Sequence, residues 1–126
     1  MKKFIKIVAG LFIVIIILSC VGLIFLMKDI DEGKAVEINS VNIATVNDGE
    51  YVGKYSFSRW QSEVLVKVIE GKIIDIKLLS SPLTPDVSKE LFDNVIKEQR
   101  VDVDVVSGAK VTSKAYLKSI ENALSQ

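Results

Sequence analysis

From Ile7 to Met27 the chain carries no charged residue, and this run constrains all that follows it. As a helix it is long enough to cross a hydrocarbon core of roughly 30 Å. A buried helix of a water-soluble protein would be shorter and would keep a polar face. The reading is one N-terminal transmembrane helix, with the anchor placed over residues 1–28. Lys2, Lys3 and Lys6 precede the run, whereas Lys28, Asp29, Asp31, Glu32 and Lys34 on the other flank hold no excess of positive charge. The positive-inside rule then puts the N-terminus in the cytoplasm and the rest of the chain outside the cell membrane. A cleaved signal peptide is one rival, but its apolar region usually runs about 7–15 residues. A lipoprotein signal is another, because Ile17-Leu18-Ser19-Cys20 loosely resembles a lipobox. A lipidated cysteine is normally followed by a polar tether, and here the chain stays apolar to Met27. Cys20 reads better as a small apolar helix residue.

The 126 residues leave room for one further domain. All 16 acidic residues lie at Asp29 or beyond, against 12 of the 16 basic ones, so the remainder is mildly acidic with a net charge of −4. No basic face is visible, which argues against nucleic acid as a partner. The chain has no histidine, and its one cysteine lies in the apolar run. A His/Cys zinc site, a His-based triad and an intramolecular disulfide are therefore all excluded.

Residues 29–47 read as a juxtamembrane linker with a short ordered piece, and 48–126 as the domain. After the turn signal Asp48-Gly49, a strand puts Tyr51, Tyr55 and Phe57 on one side. Val64 to Ile69 is a β-rich run, and Glu70-Gly71 makes a tight turn with Gly71 available for positive φ. Lys72 to Leu79 returns with Ile74, Ile76 and Leu78 expected on one face. Ser80-Ser81-Pro82 ends the strand. Thr84 can cap a helix whose first position suits Pro85. Val87, Leu91, Phe92, Val95 and Ile96 recur at helical spacing as core, and Val101 to Val106 then alternates as a short strand. A last helix ends near Leu124 and buries Tyr116, Leu117, Ile120, Ala123 and Leu124. The expected class is α+β: a small antiparallel sheet packed against helices.

One stretch carries chemistry: Asp104-Val-Val-Ser107-Gly108-Ala109-Lys110-Val-Thr112-Ser113. It reads as a turn of small residues before a helix start. Small residues let backbone N–H groups approach a ligand, and the helix N-terminus adds unpaired donors and the positive end of the dipole. Ser107, Thr112 and Ser113 contribute hydroxyls and Lys110 a charge, which together suit a phosphate. The plain alternative is a loop with Thr112 or Ser113 as helix cap.

The pattern Asp-x-x-Ser-Gly-Ala-x-x-Thr-Ser, leading into Lys114-Ala-Tyr-Leu-Lys-Ser-Ile-Glu-Asn-Ala-Leu124, resembles the end of the FMN-binding domain family. That family includes the C subunit of the sodium-translocating NADH:quinone oxidoreductase, the G subunit of the Rnf complex and small membrane-anchored proteins of Gram-positive bacteria. The resemblance extends upstream through Asp48–Gly53 and the Glu70-Gly71 hairpin. It implies FMN as cofactor, electron transfer rather than catalysis in its own right, and redox partner proteins or quinone-linked donors. It also implies a site formed by Asp104, Ser107, Gly108, Ala109, Lys110, Thr112 and Ser113. In the family, a threonine directly after the Gly-Ala pair is esterified to the FMN phosphate. Here that position is Lys110, which has no hydroxyl. Three outcomes stay open: FMN held noncovalently with Lys110 pairing its phosphate, Thr112 as substitute acceptor, or a flavin-free binding or structural module. The first is the expectation, and the two-residue helical step argues against Thr112. Trp60, Tyr51 and Tyr55 are the aromatic residues considered for stacking on the ring, with core or strand packing the plainer role for each.

Overall fold

The computed structural model describes residues 1–80 and 85–125. The chain divides into two compact units, Met1–Glu32 and Gly33–Gln126. In the first, helix α1 (Lys2–Lys34) begins, and its apolar side chains stand exposed along the whole run. It is long and apolar enough to cross a membrane. Ser19, a polar residue within the run, turns its hydroxyl back onto the carbonyl of Ile15 at 2.8 Å. That bond satisfies the hydroxyl inside its own helix, as a lipid environment would require.

The second unit is α+β. Among its described residues, three antiparallel strands lie in the order β1 (Gly49–Phe57), β2 (Trp60–Ile69), β3 (Lys72–Leu78). Central β2 alternates cleanly, and Val64, Val66 and Val68 on its inner side are fully buried. Helix α3 (Lys110–Leu124) packs across β1 and β2, and α2 (Pro85–Glu98) lies beside it against β3. The stripes of both helices fill the space between: Val87, Leu91 and Val95 from α2 meet Tyr116, Leu117 and Ile120 from α3 in one core. Phe92 and Tyr116 meet edge to face, with centroids 5.8 Å apart. Strand β3 ends at Leu78, just before the expected Ser80-Ser81-Pro82 stop; Ser81, Pro82 and Thr84, expected as the α2 cap, lie outside the described residues.

The β2–β3 turn takes the expected form. Glu70 at φ 54° and Gly71 at φ 71° make the pair of positive angles that matches the twist of a two-residue hairpin. Strand β3 departs from expectation. A bulge between Lys67 and Val68 pairs Lys67 with Asp75 but Val68 with Ile73, leaving Ile74 as the extra residue. The face therefore changes parity within the strand. Ile73 and Ile76 point into the core, while Ile74 is exposed rather than on the same side as Ile76.

Gln99 fixes this edge. It follows α2 at φ 53°, and its side-chain amide accepts from Ile73 N–H and donates to Ile73 C=O, both at 2.8 Å. The amide thus stands in for the next strand. The segment Val101–Val106, expected as a strand, enters no ladder. Its alternation is real, since Val101 and Val103 are buried and Asp102 and Asp104 exposed. Alternation reports one-sided burial, which an extended loop satisfies as well as a strand does.

Gly53 marks where sheet and helix touch. A Cβ there would collide with the carbonyl oxygen of Ser119 and come within 2.5 Å of the Ala123 nitrogen. Beside it, the hydroxyls of Ser62 and Ser119 pair at 3.0 Å in the same buried layer. The stretch before β1 is tied to α3 as well. The Lys114 ammonium donates to the carbonyls of Lys34, at 2.7 Å, and Val36. Lys118 donates to Glu37 C=O at 3.4 Å, and Asn39 N–H to the Glu121 carboxylate at 3.1 Å. Its short ordered piece is a 3-10 turn, Ile43–Thr45, which drops Ile43 into the core.

Candidate functional site

The N-terminus of α3 is built by three hydrogen bonds that close on themselves. Ser113 N–H donates to Ala109 C=O at 2.8 Å, and Ala109 N–H donates to Val106 C=O at 3.0 Å. Val106 N–H donates in turn to the Ser113 hydroxyl at 3.1 Å. Between Val106 and Ala109 the chain makes a tight turn with Gly108 at φ 80°. That angle strains any residue bearing a Cβ. Nothing lies within 4 Å of where a Gly108 Cβ would stand, so the outer side of the turn is open.

The helix cap is Ala109, which makes no side-chain cap hydrogen bond; neither Thr112 nor Ser113 serves as the cap. The reason is position, because both already lie inside the helix. The N–H groups of Lys110, Val111 and Thr112 precede the first intrahelical bond, from Ser113, and have no partner within the helix. They point toward the end of the helix at which its dipole is positive.

The residues expected at the site divide into three groups. Ser107, Gly108 and Lys110 are exposed on the turn and first helical position, and Ala109 and Thr112 are half-buried. Ser113 is fully buried, with its hydroxyl engaged by Val106. Asp104 is exposed, and no hydrogen bond or ion pair among the described residues joins it to the turn. Lys110 and Thr112 are two helical residues apart, so their side chains leave the helix in widely different directions.

Nothing in the sequence motif singles out Lys114, though it stands one helical turn after Lys110. Burial holds its ammonium below the usual lysine range, Lys110 adds to that, and Glu37 opposes it. With its donors turned to the carbonyls of Lys34 and Val36, Lys114 is a tie between segments, and Lys110 is the outward-facing cation of the pair.

Trp60 is buried, stacked on Phe57 at 6.3 Å, with the Arg59 guanidinium 4.2 Å above its ring. Tyr51 bonds Asn47 C=O through its hydroxyl at 2.6 Å. Tyr55 lines an open cleft of about 320 Å³ with Lys54, Gln61, Ser62, Glu63 and Ser80. Burial raises its phenol above the usual range, against the pull of Lys118.

Residues 60–125, from the start of β2 through the last helix, match the model of the FMN-binding domain. The chain belongs to the FMN-binding domain family. FMN is the cofactor this domain indicates. The NADH:acrylate oxidoreductase of Vibrio harveyi is 32% identical over 82 residues, which are 62% of the chain and 8% of that oxidoreductase. The chain thus spans a small part of that relative's length.

The residues at the α3 N-terminus fit the phosphate end of FMN. A turn open on its outer side, uncapped helix N–H groups and an exposed ammonium at Lys110 form a donor set suited to a dianion. They do not fit a phosphoester at position 110, because lysine offers no hydroxyl to esterify.

Proposed function

We propose that the chain is an FMN-binding electron-transfer module, anchored by residues 1–28 and carrying its flavin domain, residues 48–126, outside the cell membrane. Residues 29–47 connect the two. In this reading the flavin is held reversibly. Its phosphate meets Ser107, Gly108, Ala109 and the first turn of α3, and Lys110 supplies a point charge in place of the covalent link. When bound, the isoalloxazine supplies the redox chemistry, and the protein supplies binding and orientation. Redox proteins or quinone-linked donors in the same membrane are the partners that suit such a module.

The observation that carries this reading is the uncapped start of α3 with Lys110 at its first position, inside the region that matches the FMN-binding domain. The oxidoreductase name of the Vibrio harveyi relative supports electron transfer over simple flavin storage. The long apolar helix and the lysines before it support the anchor and its orientation.

Flavin titration of the full-length chain in detergent tests the reading. FMN is expected to bind more tightly than riboflavin, since only FMN carries the phosphate. Lys110→Ala is expected to weaken FMN by about ten- to a hundredfold, the scale of one charge-assisted contact of roughly 1.5–3 kcal/mol. Equal affinity for both flavins would remove the phosphate site. No binding of either would favour a flavin-free binding or structural module.

A further inference from the structure

We infer that Ser113 is a positioning residue for the phosphate end of FMN and not one of its ligands. The inference rests on the phosphate reading above and assigns one residue of that site a different part. Ser113 has no exposed surface, so its hydroxyl does not face the open side of the turn. Its oxygen instead accepts the N–H of Val106. Val106 is thereby held at both polar groups, because its carbonyl takes the Ala109 N–H, and Ala109 in turn takes the Ser113 N–H. The side chain of Ser113 is the one non-backbone member of this closed circuit.

The circuit sets the shape of the turn. Ser107 and Gly108 lie between its two loop members, Val106 and Ala109, and Lys110 follows at once. Ala109 at the N-cap of α3 makes no side-chain cap bond, and the Ser113 hydroxyl fixes the loop to the helix from inside. Without it, the Val106 N–H has lost its acceptor in a half-buried place and the turn has lost its cross-link to the helix. A turn free to open no longer presents its N–H groups in one direction, and the cost falls on the ligand that those groups must meet together. The flavin ring and ribityl chain, which riboflavin shares with FMN, do not need that convergence.

The test compares FMN and riboflavin affinities of the full-length chain in detergent, for wild type, Ser113→Ala and Ser113→Thr. Thermal melting confirms that each variant is folded at the titration temperature. Ser113→Ala is expected to weaken FMN by about tenfold, from the loss of one buried acceptor, and to leave riboflavin unchanged. Ser113→Thr, which keeps the hydroxyl, is expected to recover most of the FMN preference. Equal weakening of both flavins in Ser113→Ala would overturn the inference, since a general loss of structure does not choose between them. So would an unchanged FMN preference in that variant. A wild type that binds the two flavins equally would overturn the phosphate reading itself, and this inference with it.

Discussion

Gly71 and Gly53 are glycine for different physical reasons. Gly71 needs its positive φ, and its Cα side faces the Ala44 backbone, where a Cβ would stand only 3.1 Å from Ala44 Cα. Gly71→Val is expected to destabilise the fold by about 1–2 kcal/mol from backbone strain alone, read as a lowered denaturation midpoint of the full-length chain in detergent. Gly53 has no such angle. It is small because the α3 backbone lies directly over it. The sequence makes the first legible, since Glu70-Gly71 between two β-rich runs is a turn on local grounds. The second depends on where α3 lands, and no local pattern around Gly53 states that. Lys110 is legible for a third reason: it departs from a motif whose neighbours it keeps, and its chemistry forbids the ester on inspection.

At the scale of elements, the helices follow from their stripes and the sheet from its first hairpins, but β3 and the segment after α2 do not. The run Lys72–Leu79 is apolar on both parities, so alternation alone cannot say which isoleucine faces inward. The bulge at Lys67/Val68 decides it, turning Ile73 in and Ile74 out. Val101–Val106 shows the opposite limit. Its pattern is that of a strand, yet the β3 edge at Ile73 is already met by the Gln99 amide. Nothing in the letters Glu-Gln-Arg flags Gln99 as a strand substitute. Gln99→Ala is expected to cost about 1–3 kcal/mol, because it leaves both polar groups of Ile73 without the partner they have now. Hydrogen exchange should show the Ile73 amide losing protection before the amides of β2. An Ile73 amide that keeps wild-type protection in Gln99→Ala would contradict this part for Gln99. The start of α3 is legible as a turn before a helix. The inward role of the Ser113 hydroxyl is not, because a buried and an exposed serine read alike in sequence.

For the molecule as a whole, two properties act together: a helix able to cross a membrane, and a domain whose family takes FMN. If the anchor spans as proposed, the full-length chain stays with the membrane after alkaline carbonate extraction, and protease added outside intact cells reaches its C-terminus. A C-terminus protected until lysis would reverse the orientation. A mature chain found free of the membrane would mean that the apolar helix is removed. We propose that this domain holds FMN reversibly, with the Lys110 ammonium at the phosphate in place of a covalent link. The most direct test is flavin fluorescence in a denaturing gel, for wild type and Lys110→Thr, each co-expressed with a flavin transferase. The wild-type band is expected to be dark, although the same protein before denaturation carries FMN, and the Lys110→Thr band is expected to fluoresce. A fluorescent wild-type band that disappears in Thr112→Ala would contradict the claim and make Thr112 the point of attachment.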